Sequence, residues 1–238
     1  MTSSIGTLAR RGALAALTSV LIAAGLTACG DPADPSPPPA LVHTAVASAT
    51  PFAASQPLIT PGLDLRAAPV AVPLELRIPS LSISTAVLGV GITPKNVMDA
   101  PEGPPSDPVW QQAFWYRGSA VPGDASTATI TGHVDDSDGR PAAFARVREL
   151  RPGDPITVQD TRTGLDVRFA VTETATYTVE QASDPAVLTR IYGAGPVAGR
   201  APEPSPDGLS HLTLITCTGE WVNGSYDHRA VVYATRTG

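Results

Sequence analysis

From Leu74 onward the chain is cut into short apolar runs, each closed off by glycine or proline, and this punctuation restricts the fold more than any other feature. Leu74, Leu76 and Ile78 alternate with Glu75 and Arg77, the period of two that puts every second side chain on one face of a strand. A second run covers residues 81–90 beyond Pro79 and Ser80, so the two read as one broken strand pair. Further strands are expected over residues 114–117, 128–133, 156–159, 166–171 and 176–180, with turn residues such as Pro122-Gly123 and Pro152-Gly153-Asp154 between them. The last two strands are residues 211–217 and 229–234, joined by a loop with Asn223-Gly224.

Strands at this spacing favour an all-β domain, a closed antiparallel barrel. If the last two pair antiparallel, the end of one lies beside the start of the other and Cys217 and Arg229 become neighbours. Phe144, Val147 and Leu150 recur at helical spacing, so the single expected helix lies between residues 141 and 150 and covers one edge. Residues 193–208, with Pro196, Pro202, Pro204 and Pro206, are too long and proline-rich for a simple turn and read either as a binding loop or as a passive surface insertion. Aromatic residues are only 5% of the chain, so the core must be built from Val, Ile, Leu and Ala.

The first 28 residues contain no acid and place Arg10 and Arg11 ahead of an apolar run over residues 12–28, a signal-peptide pattern. Leu26-Thr27-Ala28-Cys29 is similar to the lipobox of bacterial lipoproteins, which implies that Cys29 is diacylated and becomes the first residue after cleavage. Two acyl chains suffice for stable attachment where one is marginal. The alternatives are an uncleaved signal anchor or plain secretion, and all three put the rest of the chain outside the cytoplasm. Pro, Ala and Ser dominate from Gly30 onward, including Pro37, Pro38 and Pro39; such a stretch stays extended and cannot offset its ordering entropy by burial. The expected organisation is a signal peptide over 1–28, a Pro/Ala-rich tether over 29–72 and one catalytic domain over 73–238.

The formal charge is −6, and loss of Arg10 and Arg11 with the signal peptide makes it −8. No stretch concentrates basic residues enough to cover a phosphate backbone, so nucleic acid is not an expected partner. Lys95 is the one lysine among 16 basic residues; with abundant Ala, Pro and Gly this is the composition of a GC-rich bacterial genome. The chain has two cysteines, and assigning Cys29 to lipid leaves Cys217 without an intramolecular partner in a compartment where thiols usually pair.

Thiol catalysis needs a thiolate or its ready formation, a group that moves protons, and donors aimed at the oxygen that becomes negative. Cys217 ends the apolar strand containing Leu212 to Thr216, His133 ends the run Thr129-Ile130-Thr131-Gly132, and Arg229 starts the last strand. Asp135, Asp136 and Asp138 with Gly139 do not make an EF-hand loop, which would need an acid at Val134 and a glutamate at Ala145; they read as a solvated turn. His43 and His211 have no partners at ligand spacing, and no metal or cofactor is expected.

Leu214-Ile215-Thr216-Cys217, with Arg229 before the last strand and Thr131-Gly132-His133 upstream, resembles the sortase signature. Leu76-Arg77-Ile78-Pro79-Ser80-Leu81 resembles the opening strand of that family, Pro122-Gly123-Asp124 its turn before the histidine strand, and Leu150-Arg151-Pro152-Gly153-Asp154 its turn into the central strands. Gly132-His133-Val134-Asp135 and Val231-Val232-Tyr233-Ala234 are similar to the actinobacterial branch called class F, whereas Tyr226-Asp227-His228-Arg229 departs from that branch's Tyr-x-Asp-Asn.

The resemblance implies an eight-stranded closed barrel that cleaves a Leu-Pro-x-Thr-Gly motif between Thr and Gly and passes the acyl group to an amine. Cys217 would be the nucleophile, His133 the proton-transfer partner and Arg229 the oxyanion stabiliser. Implied partners are secreted proteins bearing a C-terminal sorting motif and an amine acceptor of the cell wall, with the enzyme held at the outer face of the membrane by its N-terminal lipid or signal anchor. Two other readings compete: an L,D-type transpeptidase, which expects a His-Gly-Cys-like motif where Thr216 directly precedes Cys217 here, and a non-catalytic surface lipoprotein that uses the barrel as a binding module.

Overall fold

The computed structural model describes residues 65–94 and 97–238. The expected signal peptide, Cys29 and residues 29–64 of the expected tether lie outside the described residues. Eight strands close into a barrel: β1 (Val70–Ile78), β2 (Ile83–Val90), β3 (Ala113–Tyr116), β4 (Thr127–Gly132), β5 (Pro155–Asp160), β6 (Leu165–Thr178), β7 (His211–Val222) and β8 (Ser225–Arg236). Their order around the barrel is β1-β2-β3-β4-β7-β8-β6-β5. The first strand begins inside the segment read as tether, and the pair β1–β2 is the broken hairpin expected, with a 3-10 turn over Pro79–Leu81 between its halves.

The barrel is closed as expected, but it is not wholly antiparallel. β2 pairs with β3, and β4 with β7, in parallel. A parallel pair needs a long crossover, and residues 91–112 supply one between β2 and β3. The turn signals locate strand ends and carry no information on direction, which is why the periodicity did not separate these two pairs from the others.

The helix expected between residues 141 and 150 is absent; turns there lead to a 3-10 turn at Val147–Glu149. Phe144, Val147 and Leu150 are all buried, and their spacing of three suits this tighter winding. The backbone N–H groups of Ala143 and Phe144 donate outside the segment, to the carbonyls of Trp110 and His133, so no i to i−4 ladder forms. The helices lie instead between β6 and β7: α1 (Val179–Ala182), α2 (Pro185–Tyr192) and α3 (Ala194–Val197). Asp184 caps α2 by accepting from the N–H groups of Ala186 and Val187, and Pro185 occupies the first turn, where its missing N–H costs nothing. Residues expected as a separate strand at 176–180 divide between the end of β6 and the start of α1.

Strand alternation builds two cores. The inner one takes Leu76, Ile78, Ile130, Leu212, Leu214 and Val232 from the strands, with Trp115, Phe144 and Phe169 filling the middle. Trp115 is fully buried at no polar cost because its indole N–H donates to the Ala120 carbonyl at 2.9 Å. A smaller outer core forms where α2 lies on the other face of β7 and β8: Ile191 packs against Ile215, Val231 and Tyr233. Thr129 ties the helix to β4 by donating its hydroxyl to the Ile191 carbonyl at 2.8 Å.

Phe144 joins the inner core to the end of β4. A Cβ on Gly132 would lie 2.6 Å from the Phe144 ring, so only glycine lets β4 run past it. Phe144→Ala should lower unfolding free energy by about 3–5 kcal/mol, read from urea melts; a loss well under 1 kcal/mol would mean that the ring is not a core element.

Candidate active site

Parity places the candidate residues on one face. Along β7, Leu212, Leu214 and Thr216 point inward, so Thr213, Ile215 and Cys217 point outward. Along β4, Ala128 and Ile130 are inner-core residues, and Thr129, Thr131 and then His133 take the outer side. Because the two strands are parallel and the last registered pair is Thr131 with Ile215, two more residues along each bring His133 alongside Cys217. Two threonines clasp these ends: Thr131 Oγ1 donates to the Ile215 carbonyl at 2.9 Å and Thr216 Oγ1 to the Gly132 carbonyl at 2.8 Å.

Cys217 is registered directly opposite Arg229 on the antiparallel neighbour β8, as the order of the last two strands predicted. The strand does not end at Cys217 as expected. It continues to Val222 past a bulge between Thr218 and Trp221. Gly219 makes the bulge at φ 90°, and a Cβ there would lie 2.1 Å from Asp227 Oδ1, so no other residue fits without rebuilding the hairpin. The extended hairpin carries Trp221 and Tyr226, whose rings meet edge to face at 5.1 Å, and Tyr226 donates its hydroxyl to Asp135. Arg229 Nη1 donates to the carbonyls of Tyr226 and His228 at 2.9 and 2.8 Å, which fixes the guanidinium beside the hairpin.

His133 is held from several sides. Its ring meets Trp110 at 4.7 Å and Phe114 at 5.4 Å between centroids, both edge to face, and Nε2 lies 3.0 Å from the Pro101 carbonyl oxygen. Sequence reasoning missed Pro101, Glu102, Trp110, Trp221 and Tyr226. They sit in long connections and at a hairpin tip, where no periodicity marks them; the pattern Asp107-Pro108 before Trp110, a cap followed by a helix-compatible proline, was the available signal.

Two clefts meet at Cys217 and His133. One, of about 520 Å³, is lined by the Asp135–Asp136 turn, Glu102, Trp110, Trp221 and Tyr226. The other, of about 400 Å³, runs between β4, β7 and the α1–α2 segment, with Ala182, Leu188, Ile191 and Tyr192 on one wall and Arg229 at the sulfur end. Glu102 borders both clefts, Asp135 and Asp136 only the first and Arg229 only the second.

Burial pushes the Cys217 thiol above its ordinary value; Arg229 pulls it down, while Asp135 and Glu102 add to the rise. The resting sulfur is therefore neutral near pH 7, and it needs a proton acceptor at the moment of attack. The Tyr226 hydroxyl, bound to Asp135, is pushed up to about 12, and burial carries Tyr192 to about 12 as well, so both stay protonated donors.

The remaining acids of the turn are structural. Asp136 accepts from the backbone N–H groups of Asp138 and Arg140 and from the Arg140 side chain. His211 lies away from Cys217 at the start of β7, against Asp207. Residues 193–208, read as a binding loop or an insertion, are strapped to the barrel by Ser126 Oγ donating to the Glu203 carbonyl at 2.6 Å and by the Ser205 N–H donating to the Ala125 carbonyl at 2.9 Å. They border a separate cleft with Arg190 and Tyr233.

Residues 76–237 match the family model described as the Sortase domain. Among solved structures, the chain is similar to sortase A from Corynebacterium diphtheriae, at 20% identity over 73% of this chain and 63% of that one, with a TM-score of 0.48. It is also similar to sortase C-1 from Actinomyces oris, at 20% identity over 71% and 75% with a TM-score of 0.46, and to a sortase D5 transpeptidase of Clostridium perfringens, at 17% over 71% and 79% with a TM-score of 0.46. The chain spans less than two thirds of the length of the Corynebacterium protein. No curated protein matches it.

Alkylation of Cys217 by iodoacetamide at pH 8 reads the charge balance around the sulfur. Arg229→Gln removes the cation that favours thiolate and should slow the reaction, whereas Asp135→Asn removes an opposing anion and should speed it, each severalfold. Equal rates in all three proteins would show that neither charge reaches the sulfur.

Proposed function

The chain belongs to the sortase family, and from that premise we propose that it is a cell-surface cysteine transpeptidase that cuts a Leu-Pro-x-Thr-Gly-like motif between Thr and Gly through a thioacyl intermediate on Cys217. The observation that carries the reading is the convergence of Cys217, His133 and Arg229, from three adjacent strands, on one outer edge of the barrel. A scaffold that only binds has no use for an accessible unpaired thiol beside a histidine and an arginine.

In this reading the neutral Cys217 gives its proton to His133 as its sulfur bonds to the Thr carbonyl carbon. The carbonyl oxygen becomes negative, and Arg229, whose charge is permanent, stabilises it. Collapse breaks the carbon–nitrogen bond, and the His133 imidazolium protonates the departing Gly amine. An amine of the cell wall then attacks the thioacyl carbon, the carbon–sulfur bond breaks, His133 takes the amine proton, and Cys217 leaves as thiolate and is reprotonated. The apolar cleft beside α2 suits the sorting peptide, since it ends at Arg229 and Cys217.

The motifs Gly132-His133-Val134-Asp135 and Val231-Val232-Tyr233-Ala234 support assignment to class F, with Arg229 in place of that branch's asparagine. Lipidation of Cys29 would hold the enzyme at the outer face of the membrane, with the Pro/Ala-rich tether as spacer. Among the described residues no helix is long and apolar enough to cross a membrane.

Incubation with a quenched Leu-Pro-x-Thr-Gly peptide and an amine should give a mass adduct at Cys217 and an amide product. Cys217→Ala should abolish both, and Arg229→Ala should slow adduct formation by about 10²- to 10³-fold. Absence of cleavage and adduct in the folded wild-type protein, indistinguishable from Cys217→Ala, would sink this assignment.

A further inference from the structure

We propose that the connection between β2 and β3 is a positioning element that fixes the tautomer of His133: the Pro101 carbonyl accepts a hydrogen bond from Nε2–H, Trp110 ties down the loop that carries that carbonyl through its bond to Pro104, and Nδ1 is left as the nitrogen that takes and returns protons. This deepens the role proposed for His133 and rests on it.

A carbonyl oxygen can only accept a hydrogen bond, so the 3.0 Å contact from Nε2 to Pro101 requires the proton on Nε2. The neutral imidazole then has its lone pair on Nδ1. When His133 becomes imidazolium, the bond from Nε2 turns charge-assisted and keeps the ring in the same orientation. This is the task a buried aspartate performs in a Ser-His-Asp triad, orienting the ring and supporting its charge. Here a neutral peptide carbonyl does it, so the support is weaker and no negative charge is added beside the thiol.

The carbonyl is not held by its own strand; Pro101 lies in an irregular stretch between β2 and β3. Trp110 supplies the rigidity. Its indole Nε1–H donates to the Pro104 carbonyl at 3.0 Å, its carbonyl accepts from the Ala143 N–H at 3.0 Å, and its ring meets the His133 ring at 4.7 Å. Asp107 anchors the same turn by accepting from the Val109 N–H at 2.9 Å. One buried tryptophan therefore ties together the loop that carries the acceptor, the turn after His133 and the imidazole itself.

The test is the nitrogen NMR spectrum of the full chain labelled at histidine, with the His133 signals assigned by their loss in His133→Asn. Above the imidazole titration, wild-type His133 should show Nε2 protonated and Nδ1 unprotonated as a single tautomer. Trp110→Phe keeps an aromatic ring against His133 but loses the bond to Pro104; it should mix the tautomers and slow thioacyl formation by about ten- to a hundredfold. The wild-type spectrum needs only the His133→Asn assignment, so a folding defect in Trp110→Phe leaves the test intact. An Nδ1–H tautomer or a mixture in the wild type would overturn the proposal, as would an unchanged tautomer in folded Trp110→Phe. A protein that shows the expected tautomer but forms no thioacyl adduct would instead count against the transpeptidase reading alone.

Discussion

The parallel pairing of β4 with β7 is the constraint on which the site depends. An antiparallel pair would send the two strand ends to opposite rims of the barrel; a parallel pair sends both to the same rim. Thr131 and Thr216 reinforce that end, each using its hydroxyl to satisfy a carbonyl on the neighbouring strand. Such bonds contribute about 1 kcal/mol each when buried, but their larger effect is geometric. They hold the strands together where β4 ends before His133 and β7 passes Cys217, and Gly132, pressed against Phe144, sets the turn into His133.

Much of this was legible in the sequence because it depends on period-two patterning. The inner residues of β1, β4, β7 and β8 declare themselves by alternation, and the adjacency of Cys217 and Arg229 follows from strand order alone. What could not be read was direction and contact across distance. The two parallel pairs, the helices after β6 and the tight winding of residues 141–150 all depend on which segment lies against which. The spacing of Phe144, Val147 and Leu150 fits a helix until the outward bonds of Ala143 and Phe144 are seen. Trp110 and Pro101 escaped for the same reason, since their importance lies in a loop folding back onto His133.

The strand arrangement brings charges of both signs to the thiol. β8 brings Arg229, which favours the thiolate, while the turn after β4 and the loop after β2 bring Asp135 and Glu102, which oppose it. The Tyr226 bond to Asp135 joins the hairpin beyond the Gly219 bulge to the His133 turn, closing an arch over the acidic cleft. The bulge is what makes the arch possible, because the extra residue on β7 turns the hairpin tip toward that side.

The half-buried, neutral state of Cys217 has a consequence for the lifetime of the protein. Peroxide and disulfide exchange attack the thiolate, and the oxidation products beyond sulfenic acid are essentially irreversible. A thiol whose value is raised by burial spends little time in the vulnerable form. The same desolvation that slows the resting nucleophile therefore acts as an antioxidant shield for a lone thiol.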